Sequence, residues 1–325
     1  MRISPLLALA GTVLTSALLL TTACSSPKSA SPTPVSTVAA APLPGFTEGS
    51  ADNGGVAVHY VVGGHGPAVV LLHGWPETWR AWGKIAPDLA ADHTVVAIDL
   101  RGFGDSGFAP KDDGGYTALA VASDVHAVVQ RLQLGRIDLA GHDWGGQIAL
   151  AYAARYRDEV KHLAVYEAPP STDYLGIVQA KPGVMWWDWF TKGPGGDLPE
   201  RLVAGHERDF YGHFYEESAG AIDATEADQL VAAFSRPGRT HAGFEYFRQQ
   251  DVGLKEVDDL LAHDGKLTIP VLGVGGERSL GPAVGSFLPR VADHPTTDVV
   301  PGANHWLLEE NPAYVLSALR KFLTT

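Results

Sequence analysis

The chain has 325 residues, 45% of them hydrophobic, with a formal net charge of −13 and one cysteine. That is enough apolar material for one large core or two small ones. The acidic balance, without any Lys/Arg cluster, speaks against nucleic-acid binding, and a single cysteine excludes an intramolecular disulfide framework.

At the amino terminus Arg2 precedes an apolar run from Leu6 to Leu20 that is too short and poorly flanked to span a membrane. Residues 1–23 therefore read as a secretory signal. Residues 24–44, rich in Ser, Pro, Thr and Ala, cannot bury a core and read as a tether. Cys24 directly follows Thr21-Thr22-Ala23, a junction that resembles a bacterial lipoprotein signal, with Thr21 where that pattern prefers an aliphatic residue. The resemblance implies lipid attachment at Cys24 and a cell-surface location; the alternative is ordinary cleavage after Ala23 and secretion.

From Gly45 onward strands and helices alternate. Val56–Val62 and Val69–His73 flank Gly63-Gly64-His65-Gly66-Pro67 and read as a pair of strands joined by a turn. Val95–Asp99 is a buried strand, and Thr117–Leu132 carries Val121, Val125, Val128, Val129 and Leu132 at helical spacing. Arg136–Ala140 reads as a strand and Gly146–Ala154 as a helix, with Gly141-His142-Asp143-Trp144-Gly145 between them. Leu163–Tyr166 is a strand ending at Glu167. Between residues 168 and 261 the strand signal fades and aromatic residues mix with charge, which reads as a helical cap inserted over the sheet's carboxyl edge. Pro270–Val274 and Thr297–Val300 are later strands, and Asn311-Pro312 opens a helix running to Leu323. The alternation predicts an α/β core, residues 45–167 and 262–325, built on a mainly parallel sheet.

Residues 141–145 have the strand-turn-helix context of a nucleophile elbow, but with a carboxylate where Gly-x-Ser-x-Gly has serine. An aspartate is already ionised at neutral pH and can displace a leaving group from saturated carbon, forming an alkyl-enzyme ester. That ester must then be hydrolysed, which requires a base, a group to orient it and donors for an oxyanion. His305, behind Pro301-Gly302 and just past a strand, is the candidate base because imidazole titrates near neutrality. The 13 histidines include no HExxH motif or Cys/His cluster, so no metal and no other cofactor is expected.

His73-Gly74-Trp75-Pro76-Glu77-Thr78-Trp79, Asp99-Leu100-Arg101-Gly102-Phe103-Gly104-Asp105-Ser106, His142-Asp143-Trp144-Gly145-Gly146 and Gly302-Ala303-Asn304-His305-Trp306 together resemble the α/β-hydrolase superfamily, in the group of epoxide hydrolases and dehalogenases. The likeness spans residues 45–325. It implies an α/β-hydrolase fold, with helices on both faces of the sheet, and an orienting acid after either of two strands: Glu167, which is favoured, or Glu277. Ser279 stands where relatives with the later arrangement carry aspartate. The backbone amides of Trp75 and Trp144 are the implied oxyanion donors, while Asp99, Asp105 and His142 are expected to brace loops. The family's ring-opening tyrosine aligns with Phe247, and a histidine of relatives aligns with Trp186. Tyr246, Trp186 and Trp187 are accordingly the expected substrate or leaving-group contacts, with Tyr215 and His213 as further candidates, and Trp144 with a cap indole would suit a halide. The implied function is epoxide hydrolysis on a small apolar electrophile. The alternatives are a haloalkane or haloacid dehalogenase and, from another class, a tethered ligand-binding protein with little turnover.

Overall fold

The computed structural model describes residues 43–110, 115–169, 172, 185–193 and 196–325. The signal segment, Cys24, nearly all of the tether and a stretch at the start of the cap lie outside these residues. Eight strands form one sheet: β1 (Phe46–Asn53), β2 (Val56–Gly64), β3 (Ala68–Leu72), β4 (Thr94–Ile98), β5 (Ile137–His142), β6 (Val160–Tyr166), β7 (Leu267–Gly276) and β8 (Ala292–Val300). Their order is β1-β2-β4-β3-β5-β6-β7-β8. The β1–β2 and β2–β4 pairings are antiparallel, and all others are parallel.

The two strands expected on either side of Gly63–Pro67 are present. β2 and β3 are joined by that turn but do not pair, because β4 lies between them and hydrogen-bonds to both. The reason is burial: β3 is apolar throughout, with Val70 and Leu72 packed on one face of the sheet and Val69 and Leu71 on the other. Such a strand is stable only deep in a parallel sheet, with neighbours on both edges. The hairpin partner of β2 is instead β1, through Gly54 and Gly55, both at positive φ.

Helices cover both faces. Ala118–Leu132 starts at Thr117, whose hydroxyl accepts from the Ala120 amide, and packs Val121, Val125, Val128 and Val129 into one core. Pro312–Phe322, capped by Asn311, packs Val315 and Leu319 into the other. Between β6 and β7 the chain leaves the sheet and forms Trp186–Thr191, Leu198–Val203, Glu207–Glu216, Ala224–Phe234 and the long cap helix Arg239–Asp264. Among the described residues no helix is long and apolar enough to cross a membrane.

The loop after β4 is held by a buried cation. The Arg101 guanidinium binds Asp124 through Nε at 2.6 Å and through a second nitrogen at 2.8 Å, and donates to the Gly115 and Ala120 carbonyls. Both side chains are at most 2% exposed, so removing one partner strands a buried charge, at a cost of about 3–5 kcal/mol. Arg101→Met is expected to lower unfolding stability by that amount in urea titration; a loss below about 1 kcal/mol would mean the pair contributes little net stabilisation.

Candidate active site

Five loops converge at the carboxyl ends of the parallel strands, and each carries part of the site. Asp143 follows β5 directly and caps the helix Trp144–Arg155 with φ 51° and ψ −119°. A non-glycine residue rarely adopts these angles, and they persist only where the surroundings enforce them. Two contacts do so here: a Cβ on Gly141 would sit 2.1 Å from the Gly145 carbonyl oxygen, and one on Gly74 would sit 2.5 Å from Asp143 Cβ. The glycines of the motif therefore provide clearance for a projecting carboxylate.

The Trp75 amide, on the loop after β3, donates to Asp143 Oδ1 at 2.9 Å. The Trp144 amide is the first of the elbow helix, one of those that no intrahelical carbonyl can satisfy. Of the two expected oxyanion donors, the Trp75 amide thus contacts the Asp143 carboxylate and the Trp144 amide directly follows Asp143 in the chain. The Trp75 indole serves packing: it is enclosed by Phe210, Tyr211, Phe214 and Phe247, with its Nε1 against Gly243 of the long cap helix.

His305, on the loop after β8, has its Nε2 3.9 Å from Asp143 Oδ2 and its Nδ1 3.2 Å from Glu167 Oε2. Glu167 follows β6 and is buried. Its Oε1 accepts from the Gly276 amide at 2.7 Å, and its Oε2 accepts from the Ser279 hydroxyl at 2.6 Å. The turn after β7 therefore wraps the carboxylate. Glu277, on the same turn, is exposed and accepts from the Gly302 amide at 2.7 Å, facing away from His305. Ser279 supplies no charge; it donates a hydrogen bond to the acid, a contact the sequence reading did not anticipate.

Behind His305, His142 contacts Glu77 through Nδ1 at 3.0 Å and the His305 carbonyl through Nε2 at 2.9 Å. A carbonyl only accepts, so His142 Nε2 carries the proton there. Burial, together with the neighbouring Glu77 charge, holds the Glu309 carboxyl well above its usual range. Asp99 likewise braces loops, accepting from the Trp79 and Asp105 amides and contacting His59 at 2.8 Å.

Burial opposes the His305 imidazolium, but the Glu167 hydrogen bond and the Asp143 charge outweigh it and raise the group to about 9. At neutral pH the resting site is thus an imidazolium held between two carboxylates.

A cavity of about 540 Å³ opens over these groups, lined by Trp75, Trp144, Gln147, Trp187, Phe247 and Gln250 beside Asp143 and His305. Four of the cap residues expected at the site do not line it, Tyr246, Trp186, Tyr215 and His213. Tyr246 does not line it: the side chain is buried and its hydroxyl donates to the Arg101 carbonyl at 2.8 Å. Consecutive helical residues lie about 100° apart, so Phe247, not Tyr246, faces the cavity. Trp186 is 37% exposed on the outside of the cap, stacked on Phe214, while Trp187 reaches the cavity. Tyr215 donates to the Pro76 carbonyl and His213 is exposed, so neither reaches the cavity. Gln147 and Gln250 are cavity residues that the sequence reading missed. The available signal was spacing, four residues after Asp143 and three after Phe247.

Residues 67–263 match the family model described as the alpha/beta hydrolase fold. A soluble epoxide hydrolase from Corynebacterium sp. (strain C12) is 32% identical over 82% of this chain and 94% of its own length. A fluoroacetate dehalogenase from Burkholderia sp. is 34% identical over 57% of this chain and 62% of its own length. The crystal structure of Cfl2 from Burkholderia cenocepacia superposes with a TM-score of 0.79 at 33% identity, covering 86% of this chain and 96% of that one.

The raised His305 pKa sets a pH signature. A folded-state value of about 9 against an ordinary 6.5 means the imidazolium stabilises the fold fully below about pH 6.5, and this contribution is lost as pH rises through about 9. The His305 ring proton is expected to titrate near that value by NMR, and Glu167→Gln is expected to move the titration down. An unchanged titration in Glu167→Gln would remove Glu167 as the cause.

Proposed function

The chain belongs to the α/β-hydrolase family, within its group of epoxide hydrolases and dehalogenases, and on that premise we propose that it opens epoxides through a covalent ester on Asp143. It is an enzyme of the epoxide hydrolase-like type. The observation that carries the reading is the charge pattern at His305: an imidazolium between the Asp143 and Glu167 carboxylates.

Asp143 Oδ attacks an epoxide carbon, the carbon–oxygen bond breaks, and the electron pair stays on the departing oxygen. That alkoxide takes a proton, relayed through water from the imidazolium, which leaves His305 neutral. Esterification also removes the Asp143 charge, one of the causes holding His305 protonated, so the base is generated where it is needed. Neutral His305 then takes a proton from water as the oxygen attacks the aspartyl carbonyl, and the Trp75 and Trp144 amides hold the oxyanion. Collapse releases the diol and restores Asp143 as carboxylate and His305 as imidazolium. Glu167 takes no part in the bond changes and orients the ring.

Dehalogenation is the second reading. Trp144 and Trp187 line the cavity and their indole N–H groups suit a halide, while Tyr215 and Tyr246 spend their hydroxyls on main-chain carbonyls. Release of halide rather than diol would select it.

We further propose that the protein is exported and tethered by lipid at Cys24, a reading supported by the apolar run Leu6–Leu20 and the lone cysteine behind it. Palmitate labelling is expected to vanish in Cys24→Ser, and persistent labelling would refute the anchor. For the chemistry, one turnover in heavy-oxygen water is expected to label the Asp143 carboxylate, and His305→Gln is expected to accumulate an ester of Asp143 detectable by intact mass. Glu167→Gln should cut turnover at least about 100-fold while Glu277→Gln leaves it within about twofold. Turnover with an unlabelled Asp143 would refute the covalent mechanism.

A further inference from the structure

The long cap helix carries Phe247 and Gln250 three residues apart, on one helical face, and both line the cavity above Asp143. Gln250 is only 4% exposed, yet its polar end is not idle. Oε1 accepts from the Lys192 ammonium at 3.3 Å, and Lys192 is itself anchored by Asp188 at 3.0 Å and Asp251 at 3.5 Å. An ammonium can only donate, so this contact fixes which end of the carboxamide is which: oxygen toward Lys192 and the Nε2 amino group away from it. Among the described residues Nε2 has no hydrogen-bond partner. That donor belongs to a residue lining the cavity and is free to be taken by a group that enters it.

We propose that the Gln250 carboxamide, polarised by Lys192, receives the negative charge of the leaving atom when Asp143 is alkylated. The proposal rests on the reading of Asp143 as nucleophile. As the carbon–oxygen bond of the epoxide breaks, its electron pair gathers on the departing oxygen, and Nε2 donates a hydrogen bond to it. The amide keeps its own proton; the proton that neutralises the alkoxide is the one relayed from His305 through water. A positive charge at Oε1 draws density from the amide nitrogen and strengthens its N–H groups as donors. Phe247 and Trp187 line the same cavity, and the contact with Lys192 holds the carboxamide in one orientation before substrate arrives. The same donor would serve a departing halide, which needs no proton.

The test separates the two half-reactions, with styrene oxide and epichlorohydrin as probes. In a His305→Gln background, Gln250→Leu is expected to slow formation of the Asp143 ester about 100-fold, the usual loss for one oxyanion-type donor. Lys192→Met, which leaves the amide in place but unpolarised, is expected to slow it several-fold. With His305 intact, breakdown of the ester once formed should stay within about twofold of wild type in both variants, because the leaving oxygen plays no part in that attack. Ester formation at the parental rate in Gln250→Leu would overturn the assignment of Gln250 alone, as would equal slowing of both half-reactions, which marks a packing role. Turnover of either probe by the intact enzyme in heavy-oxygen water with no label in the Asp143 carboxylate would overturn the nucleophile reading and this proposal with it.

Discussion

The site depends on a backbone constraint at Asp143. Its positive φ is costly for any residue with a side chain, and what sustains it is the close packing of three chain segments: the His73-Gly74 loop, the end of β5 and the first turn of the elbow helix. Gly74, Gly141 and Gly145 allow these segments to approach until a single added carbon would collide. The same approach brings the Trp75 amide to the carboxylate and leaves the Trp144 amide at the head of its helix. On the proposed chemistry, nucleophile and oxyanion donors are thus products of one turn, and anything that relaxes the turn loses both.

Charge supplies the second level of organisation. Glu167 is buried at the end of β6, where an isolated carboxylate would be expensive, and it is offset by two main-chain amides, the Ser279 hydroxyl and His305. Ser279 is informative because an acid at that position would set a second negative charge beside Glu167. A hydroxyl there instead donates to it. The location of the acid after β6 and the neutrality of the turn after β7 are therefore one choice, which is why Glu277 faces outward to the Gly302 amide.

What could be read from the chain follows from how local the determining forces are. The elbow, the Thr117-capped helix and the strand ends carrying Asp143 and Glu167 are set by residues within a few positions of one another, and they stand where the pattern placed them. Strand pairing is not local: the insertion of β4 between β2 and β3 depends on which strand needs cover on both edges. The β1–β2 hairpin is a local feature of Asn53-Gly54-Gly55, whereas the glycine-rich turn that follows joins two strands that do not pair. In the cap, Tyr246 against Phe247 and Trp186 against Trp187 are decisions of one residue. Helix rotation reverses them, and contacts with Arg101 and Phe214 set that rotation.

The proton inventory connects the resting state to the choice between leaving groups. Opening an epoxide consumes one proton at the alkoxide, and the later hydrolysis returns one to the imidazole, so a site that rests with His305 protonated completes the cycle without exchanging protons with solvent. A halide departs needing none. The resting imidazolium would then have to lose its proton to water before His305 could act as base, and it would do so beside a Glu167 carboxylate that holds it. On the proposed chemistry, the ion pairs that raise His305 to about 9 therefore favour a substrate whose leaving atom stays in the molecule and demands a proton. On the same proposal the Gln250 amide complements that arrangement: it donates to the alkoxide during the interval before the proton arrives, and it has no need to surrender a proton of its own.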